Sequence, residues 1–196
     1  MYLHKHILVG SPVQHLWSKK NREPLICHDN IVIHYTAGAT ALSSVRYLIS
    51  ENTPVSAHVL IARDGTIYQM VDFNTQAWHC GKSKLYGKTD LNARSIGIEL
   101  ENAGLLTKTE KYFKAWFGKR IHNDQVVELP HPGTGQRAWW QTYTQPQLNT
   151  LKQVCSLLLF HYKFRRIVGH NEISLSGKID PGPAFPLKEF KNLIYA

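Results

Sequence analysis

The sequence predicts an α/β domain of mixed (α+β) type, with a central mixed β-sheet flanked by helices and a loop-rich insertion. Three observations point there. Short β-branched apolar runs recur along the chain, two longer stretches carry apolar residues at helical spacing, and the two kinds alternate loosely.

Residues 1 to 29 mix charges with Pro12 and Pro24 and read as an irregular N-terminal arm. The remainder, 30 to 196, reads as a single domain. Asn30 to Thr36 (NIVIHYT) is short, apolar and β-branched, the pattern of a buried strand. Ala41 to Glu51 places Leu42, Val45, Leu48 and Ile49 at helical spacing. Ser56 to Ala62 and Thr66 to Val71 flank Arg63-Asp64-Gly65, a tight-turn signal, and predict a hairpin. Ser95 to Glu101 (SIGIELE) is a further strand. Thr144 to Tyr162 is a long amphipathic helix with Thr144 as its N-cap. Arg166 to Val168 is a short strand, and Leu187 to Tyr195 a closing helix. Residues 103 to 143 break the scheme. Tyr112, Phe113, Trp116, Phe117, Trp139 and Trp140 stand there among Lys, Arg, Gly and Pro, so the segment is expected to be an insertion with little regular structure. It fits equally a surface elaboration and a segment that touches substrate.

A chain of 196 residues with 43% hydrophobic and 19% charged residues has the composition of a folded globular protein. No apolar run reaches the roughly 20 residues of a membrane-spanning helix, so membrane insertion is not expected. The first ten residues lack the parts of a secretory signal, and a cytoplasmic site of synthesis is the expectation. Cys27, Cys80 and Cys155 are too far apart for a paired zinc or disulfide motif. The formal net charge of +9 favours polyanions without choosing among nucleic acid, membrane and cell wall. No nucleic-acid-binding motif accompanies it, so nucleic acid is not expected as a partner. A monomer is the simpler expectation.

Chemistry concentrates at a few polar residues in apolar surroundings. His34 interrupts a buried strand, where a histidine is either hydrogen-bonded in the core or a metal ligand. Gly169 to Phe185 (GHNEISLSGKIDPGPAF) brings His170, Lys178 and Asp180 into a loop stiffened by Pro181-Gly182-Pro183. Two imidazoles and a carboxylate suit a catalytic zinc that keeps its fourth position open, although spacing alone fits a hydrogen-bonded surface loop as well. Glu99 sits inside SIGIELE, where a buried carboxylate needs a partner or a task. Salt bridging and general base catalysis are the two readings. Glu101, nearer the strand end, reads as structural.

Five segments together resemble the zinc-dependent N-acetylmuramoyl-L-alanine amidases of the type 2 family, which share the peptidoglycan-recognition-protein fold. They are IVIHYTAG (31 to 38), SAHVLIARDGTIYQ (56 to 69), AWHCG (77 to 81), LNARSIGIELEN (91 to 102) and GHNEISLSGKIDPGPAF. They run in family order over roughly residues 30 to 190. The resemblance implies that 30 to 196 is a catalytic domain binding one zinc ion through His34, His170 and Asp180. Glu99 would be the acid/base and Lys178 the oxyanion donor. Tyr35, Trp78, His79 and Asn92 are expected to contact a peptidoglycan or muropeptide substrate, and His58 to be structural. Cys80 is the weaker candidate for third ligand. The family arginine that reads a stem-peptide carboxylate is replaced here by Asp90, with Lys88 and Arg94 as possible substitutes. Two settings fit an amidase without a leader: a phage-type endolysin released onto the wall by a holin-type protein, and cytoplasmic recycling of muropeptides. The basic charge and the aromatic insertion favour the endolysin. A peptidoglycan receptor without turnover is the rival from another class.

Overall fold

The computed structural model describes residues 1 to 195. Its centre is a six-stranded mixed sheet, ordered β13-β4-β7-β5-β6-β3. The strands are β3 (Val13–His15), β4 (Asn30–Tyr35), β5 (Val59–Ile61), β6 (Ile67–Gln69), β7 (Ser95–Leu100) and β13 (Arg166–Gly169). β4 runs parallel to both β7 and β13, β5 runs parallel to β7, and β5 and β6 form the antiparallel hairpin. Gly65 closes that hairpin at φ +91°, and a Cβ there would lie 2.8 Å from Thr150 Oγ1. Both the turn and its closeness to a helix therefore require glycine.

Strand alternation sorts the side chains onto two faces. Ile31, Ile33, Val59, Ile61, Ile96 and Ile98 pack with Leu151, Val154, Cys155 and Leu158 of helix α2 (Gln145–His161). Thr144 caps α2 by accepting from the N–H of Gln147. On the other side of the sheet, Leu60 joins Met70 and Val71 against Val45 and Leu48 of α1 (Ala41–Ile49). Thr40 caps α1 in a reciprocal capping box with Ser43. The Lys20 ammonium donates to the carbonyls of Ser50 and Val55 and so fastens the chain that leaves α1. Two short helices, α3 (His170–Ile173) and α4 (Leu187–Asn192), follow β13.

Two segments differ from expectation. The N-terminal arm is not irregular: β1 (Tyr2–His4) and β2 (Ile7–Val9) form a hairpin, and β3 adds an edge strand parallel to β6. Leu8 is fully buried. Three-residue strands are too short to display an alternation, and the partner of β3 lies more than fifty residues away. The segment expected to be loop-rich is a five-stranded antiparallel sheet, ordered β10-β9-β8-β12-β11. It comprises β8 (Leu105–Lys108), β9 (Phe113–Ala115), β10 (Arg120–Ile121), β11 (Val126–Pro130) and β12 (Arg137–Gln141). Ala103, Leu106, Ala115 and Ile121 give it a small core of its own. Charged residues on its exposed face hide the period of two from a sequence reading.

His58 ties the hairpin to β7. Its Nδ1 accepts from the Gly97 N–H at 3.0 Å and its Nε2–H donates to the Thr75 carbonyl at 2.9 Å. Burial pushes the imidazole down to about 4 from its ordinary 6.5, and a proton on Nδ1 would face the Gly97 N–H. A depressed histidine keeps its contribution above the unfolded value and loses it as pH falls. We therefore expect about 3 kcal/mol of stability to disappear between pH 6.5 and about 4. Denaturant midpoints across that range should fall less steeply in His58→Leu; an equal slope would refute the assignment.

Candidate active site

The face of the sheet opposite α2 carries the polar residues. His34 on β4 and Glu99 on β7 are register partners, so adjacent strands place both side chains on one side. The loop after α3 returns Asp180 to the sheet, and the Asn171 N–H donates to the Asp180 carbonyl at 2.8 Å. Tyr143 steadies the same loop, its hydroxyl donating to the Pro181 carbonyl at 2.7 Å.

His34, His170 and Asp180 are buried and converge, with one donor atom of each within 4.8 Å of the others. His34 Nδ1 lies 3.0 Å from Asp180 Oδ2, and His170 Nδ1 lies 3.0 Å from the same oxygen. Donors bound at 2.0 to 2.1 Å around a tetrahedral zinc stand about 3.3 Å apart, so the spacing fits such an ion with little movement. The outward nitrogens fit as well. With both Nδ1 atoms turned to the ion, the Nε2–H of His34 donates to His79 Nδ1 at 3.0 Å, and that of His170 to the Cys80 carbonyl at 3.3 Å. Each ring thus has an outward partner that would hold it in the tautomer that metal binding through Nδ1 would need, whereas in the metal-free group the same Nδ1 atoms face Asp180. Burial opposes ionisation of Asp180, but the hydrogen bonds from His170 and His34 prevail and hold its carboxyl below the usual range. Burial lowers His34, against the pull of Asp180, so its imidazole favours the neutral form that binds metal.

Glu99 faces this group. Its Oε2 is buried and accepts no hydrogen bond. Burial, reinforced by the Asp180 charge and opposed by Lys178, raises its carboxyl to about 8. An unpaired carboxyl with a raised pKa, beside a group that could hold a metal, is suited to acid/base work. Glu101, by contrast, accepts from the Arg63 N–H at 3.0 Å.

A cavity of about 970 Å³ opens over the group, lined by His34, Tyr35, His79, Glu99, Lys178 and Asp180 among others. The sequence-predicted substrate contacts divide. Tyr35 lines the cavity. His79 reaches its wall but turns its ring edge-on to His34, 5.1 Å between centroids, and Gly97 makes the room: a Cβ there would meet the imidazole at 2.4 Å. Asn92 does not line the cavity; its Oδ1 accepts from the backbone N–H groups of His79 and Cys80 and fixes the turn beneath His34. Trp78 does not line it either, and its ring lies 6.0 Å from the Lys20 ammonium. Cys80 is buried, its thiol pushed up to about 12, and stands outside the group that could hold a metal. Arg94 is bound to Asp90 at 2.8 Å and to Asp29, and does not reach the cavity. Sequence reasoning passed over Tyr47, His131 and Tyr143, and left Trp116 within a segment of undecided role. No periodicity or spacing marks these residues.

Comparison with known proteins decides the family. The model of the N-acetylmuramoyl-L-alanine amidase family matches residues 27–183. This chain belongs to that family. The 1,6-anhydro-N-acetylmuramyl-L-alanine amidase AmpD of Escherichia coli is 33% identical over 142 residues, which cover 71% of this chain and 58% of AmpD. The N-acetylmuramoyl-L-alanine amidase AmiD of the same organism is 31% identical over 167 residues, 81% of this chain and 50% of AmiD. The match thus spans about half the length of these curated relatives. Among solved structures, a selenomethionine derivative of AmpD superposes with a TM-score of 0.69 at 25% identity, covering 99% of both chains. AmiD from E. coli in complex with anhydro-N-acetylmuramic acid-L-Ala-D-gamma-Glu-L-Lys superposes at 0.62 and 27% identity, over 88% of this chain and 60% of AmiD. The fold of this amidase-family chain is therefore the one its segments implied.

Proposed function

We propose that this chain is a zinc-dependent amidase that hydrolyses the amide joining N-acetylmuramic acid to L-alanine in muropeptides. The observation that carries the reading is the convergence of His34, His170 and Asp180 beside the unpaired Glu99 carboxyl. The names of the related amidases, and the muropeptide bound to AmiD, support the choice of bond. Residues 30 to 196 form the catalytic domain, with 1 to 29 adding an edge strand and 103 to 143 inserted as a second sheet.

A zinc ion held by the three ligands would supply Lewis acidity, lowering the pKa of bound water to about 7 and polarising the amide carbonyl. Glu99 takes the proton as the water oxygen attacks the lactyl carbonyl. Lys178, exposed at the cavity rim, donates to the oxygen that gains charge. Glu99 then passes its proton to the departing nitrogen, which leaves as the amino group of L-alanine. His79 keeps the His34 ring oriented throughout, and Asn92 holds the backbone under His79.

The resemblance to enzymes named for 1,6-anhydro muropeptides supports soluble fragments as substrate, and with them a cytoplasmic recycling role. The net charge of +9 and the aromatic-basic sheet favour a second reading, action on the polymeric wall as an endolysin. No helix among the described residues is long and apolar enough to cross a membrane.

Turnover of purified muropeptide and of intact sacculi, before and after chelation and with zinc restored, tests the proposal. Stem peptides beginning with L-alanine should appear by mass spectrometry, vanish on chelation and return with zinc. Release from soluble muropeptide alone would favour recycling; release from sacculi would favour the endolysin. Uncleaved glycopeptide despite bound zinc would reject the amidase.

A further inference from the structure

The five-stranded sheet of residues 105 to 141 reaches the catalytic cavity through Trp116 and, from the loop between β11 and β12, His131. Trp116, which follows β9, lines the cavity although 75% of the residue is exposed. Its indole N–H donates to the Ala37 carbonyl at 2.8 Å, and Lys119 Nζ reaches the Ala39 carbonyl at 3.2 Å. Both tethers end in the loop that joins β4, the strand of His34, to α1. An exposed tryptophan ordinarily samples several rotamers. This one is fixed through its only polar atom, which leaves the apolar ring available to a ligand.

The rest of the cavity suggests what that ligand is. Tyr35 and Tyr47 add two more aromatic rings, and Thr36, Ser43 and Ser44 add hydroxyls. Lys178 is the one lysine or arginine lining the cavity, and the catalytic role proposed above employs it. Arg94, a candidate reader of peptide carboxylates, is committed to Asp90 and Asp29. Aromatic faces with hydroxyls and few cations suit a pyranose, which offers an apolar C–H face and a rim of hydroxyls. They suit a polyanionic stem peptide poorly.

We infer that Trp116 is a specificity-determining residue whose indole face stacks on the saccharide ring of the substrate, so that the inserted sheet reads the sugar and not the peptide. This rests on the amidase reading for the identity of the substrate. The ring adds no chemistry at the scissile bond; it holds the muramic acid so that its lactyl amide lies over Glu99 and the ligand group.

The test compares two ligands that share the scissile amide and differ in the sugar: N-acetylmuramoyl-L-alanyl-D-isoglutamine and D-lactoyl-L-alanyl-D-isoglutamine. Calorimetric affinities are measured on the zinc-loaded Glu99→Gln protein, with and without Trp116→Ala or Trp116→Phe. The preference for the sugar-bearing ligand should fall about tenfold in Trp116→Ala and be largely restored in Trp116→Phe, which keeps a ring face but not the indole N–H. Equal weakening of both ligands, an unchanged preference, or a phenylalanine variant that behaves as the alanine one would overturn the inference. Turnover of the sugar-bearing ligand by the unsubstituted protein is read separately. Its absence, with the sugar preference intact, would remove the amidase assignment and leave the stacking role standing.

Discussion

Glu99→Gln is expected to lower kcat by about 10² to 10⁴ while zinc content stays at the level of the unsubstituted protein. The substitution preserves shape and hydrogen-bonding capacity and removes only the ability to accept and return a proton. The side chain is not among the residues that converge to hold a metal, so metal content has no reason to change. A second signature separates this role from a structural one. In the metal-free protein, burial raises the Glu99 carboxyl to about 8 from an ordinary 4.5. A raised carboxyl favours folding in its neutral form, so its contribution is fully present below pH 4.5 and is lost as pH rises towards 8. The metal-free Glu99→Gln protein should therefore melt higher than the metal-free unsubstituted protein at pH 8 to 9, and the gap should close at pH 5. Retained kcat in Glu99→Gln would remove the residue from the mechanism. A melting gap independent of pH would show that folding does not raise the carboxyl.

The second large effect belongs to the ligand set, and it should be graded. Asp180→Ala removes the oxygen that both ligand histidines approach at 3.0 Å, and is expected to weaken zinc by more than 100-fold and abolish turnover. His79→Ala removes only the acceptor behind His34, at 3.0 Å from its Nε2, and should cost about 10- to 100-fold. Competition with a chelator of known affinity gives both values on one scale. If His79→Ala matched Asp180→Ala, the imidazole of His79 would itself be a ligand. If Asp180→Ala kept a full complement of zinc, the proposed set would be wrong.

The large elements are legible from local residue pattern. The strands at 30 to 35 and 95 to 100, the hairpin around Gly65 and the helix capped by Thr144 lie where their residues predicted. Each is set by local rules, either apolar periodicity or a cap within three residues, and its burial follows from its own pattern. The polar interruptions were legible for the same reason: a histidine and a glutamate inside apolar strands are costly, and cost marks them out. Strand alternation gives the side each takes within its own strand, but not that the two share a face or stand as neighbours. The His34 to Glu99 register is a pairing across sixty-five residues, and only the parallel sheet decides it. Asp180 likewise reaches His34 from 146 residues away.

What the sequence left undetermined is long-range and side-chain-specific. Asn92 looked like a substrate contact and instead bonds the backbone at 79 and 80, because a short helical turn points it inward. Residues 103 to 143 looked like loop. Strands of two to five residues carry too few alternating positions to register, and their stability comes from partners supplied by the folded sheet. Tertiary structure alone brought Trp116 to the rim of the cavity, through a single hydrogen bond to a carbonyl 79 residues earlier. A backbone carbonyl carries no signature in the sequence, and so no reading of residue types could have found that contact.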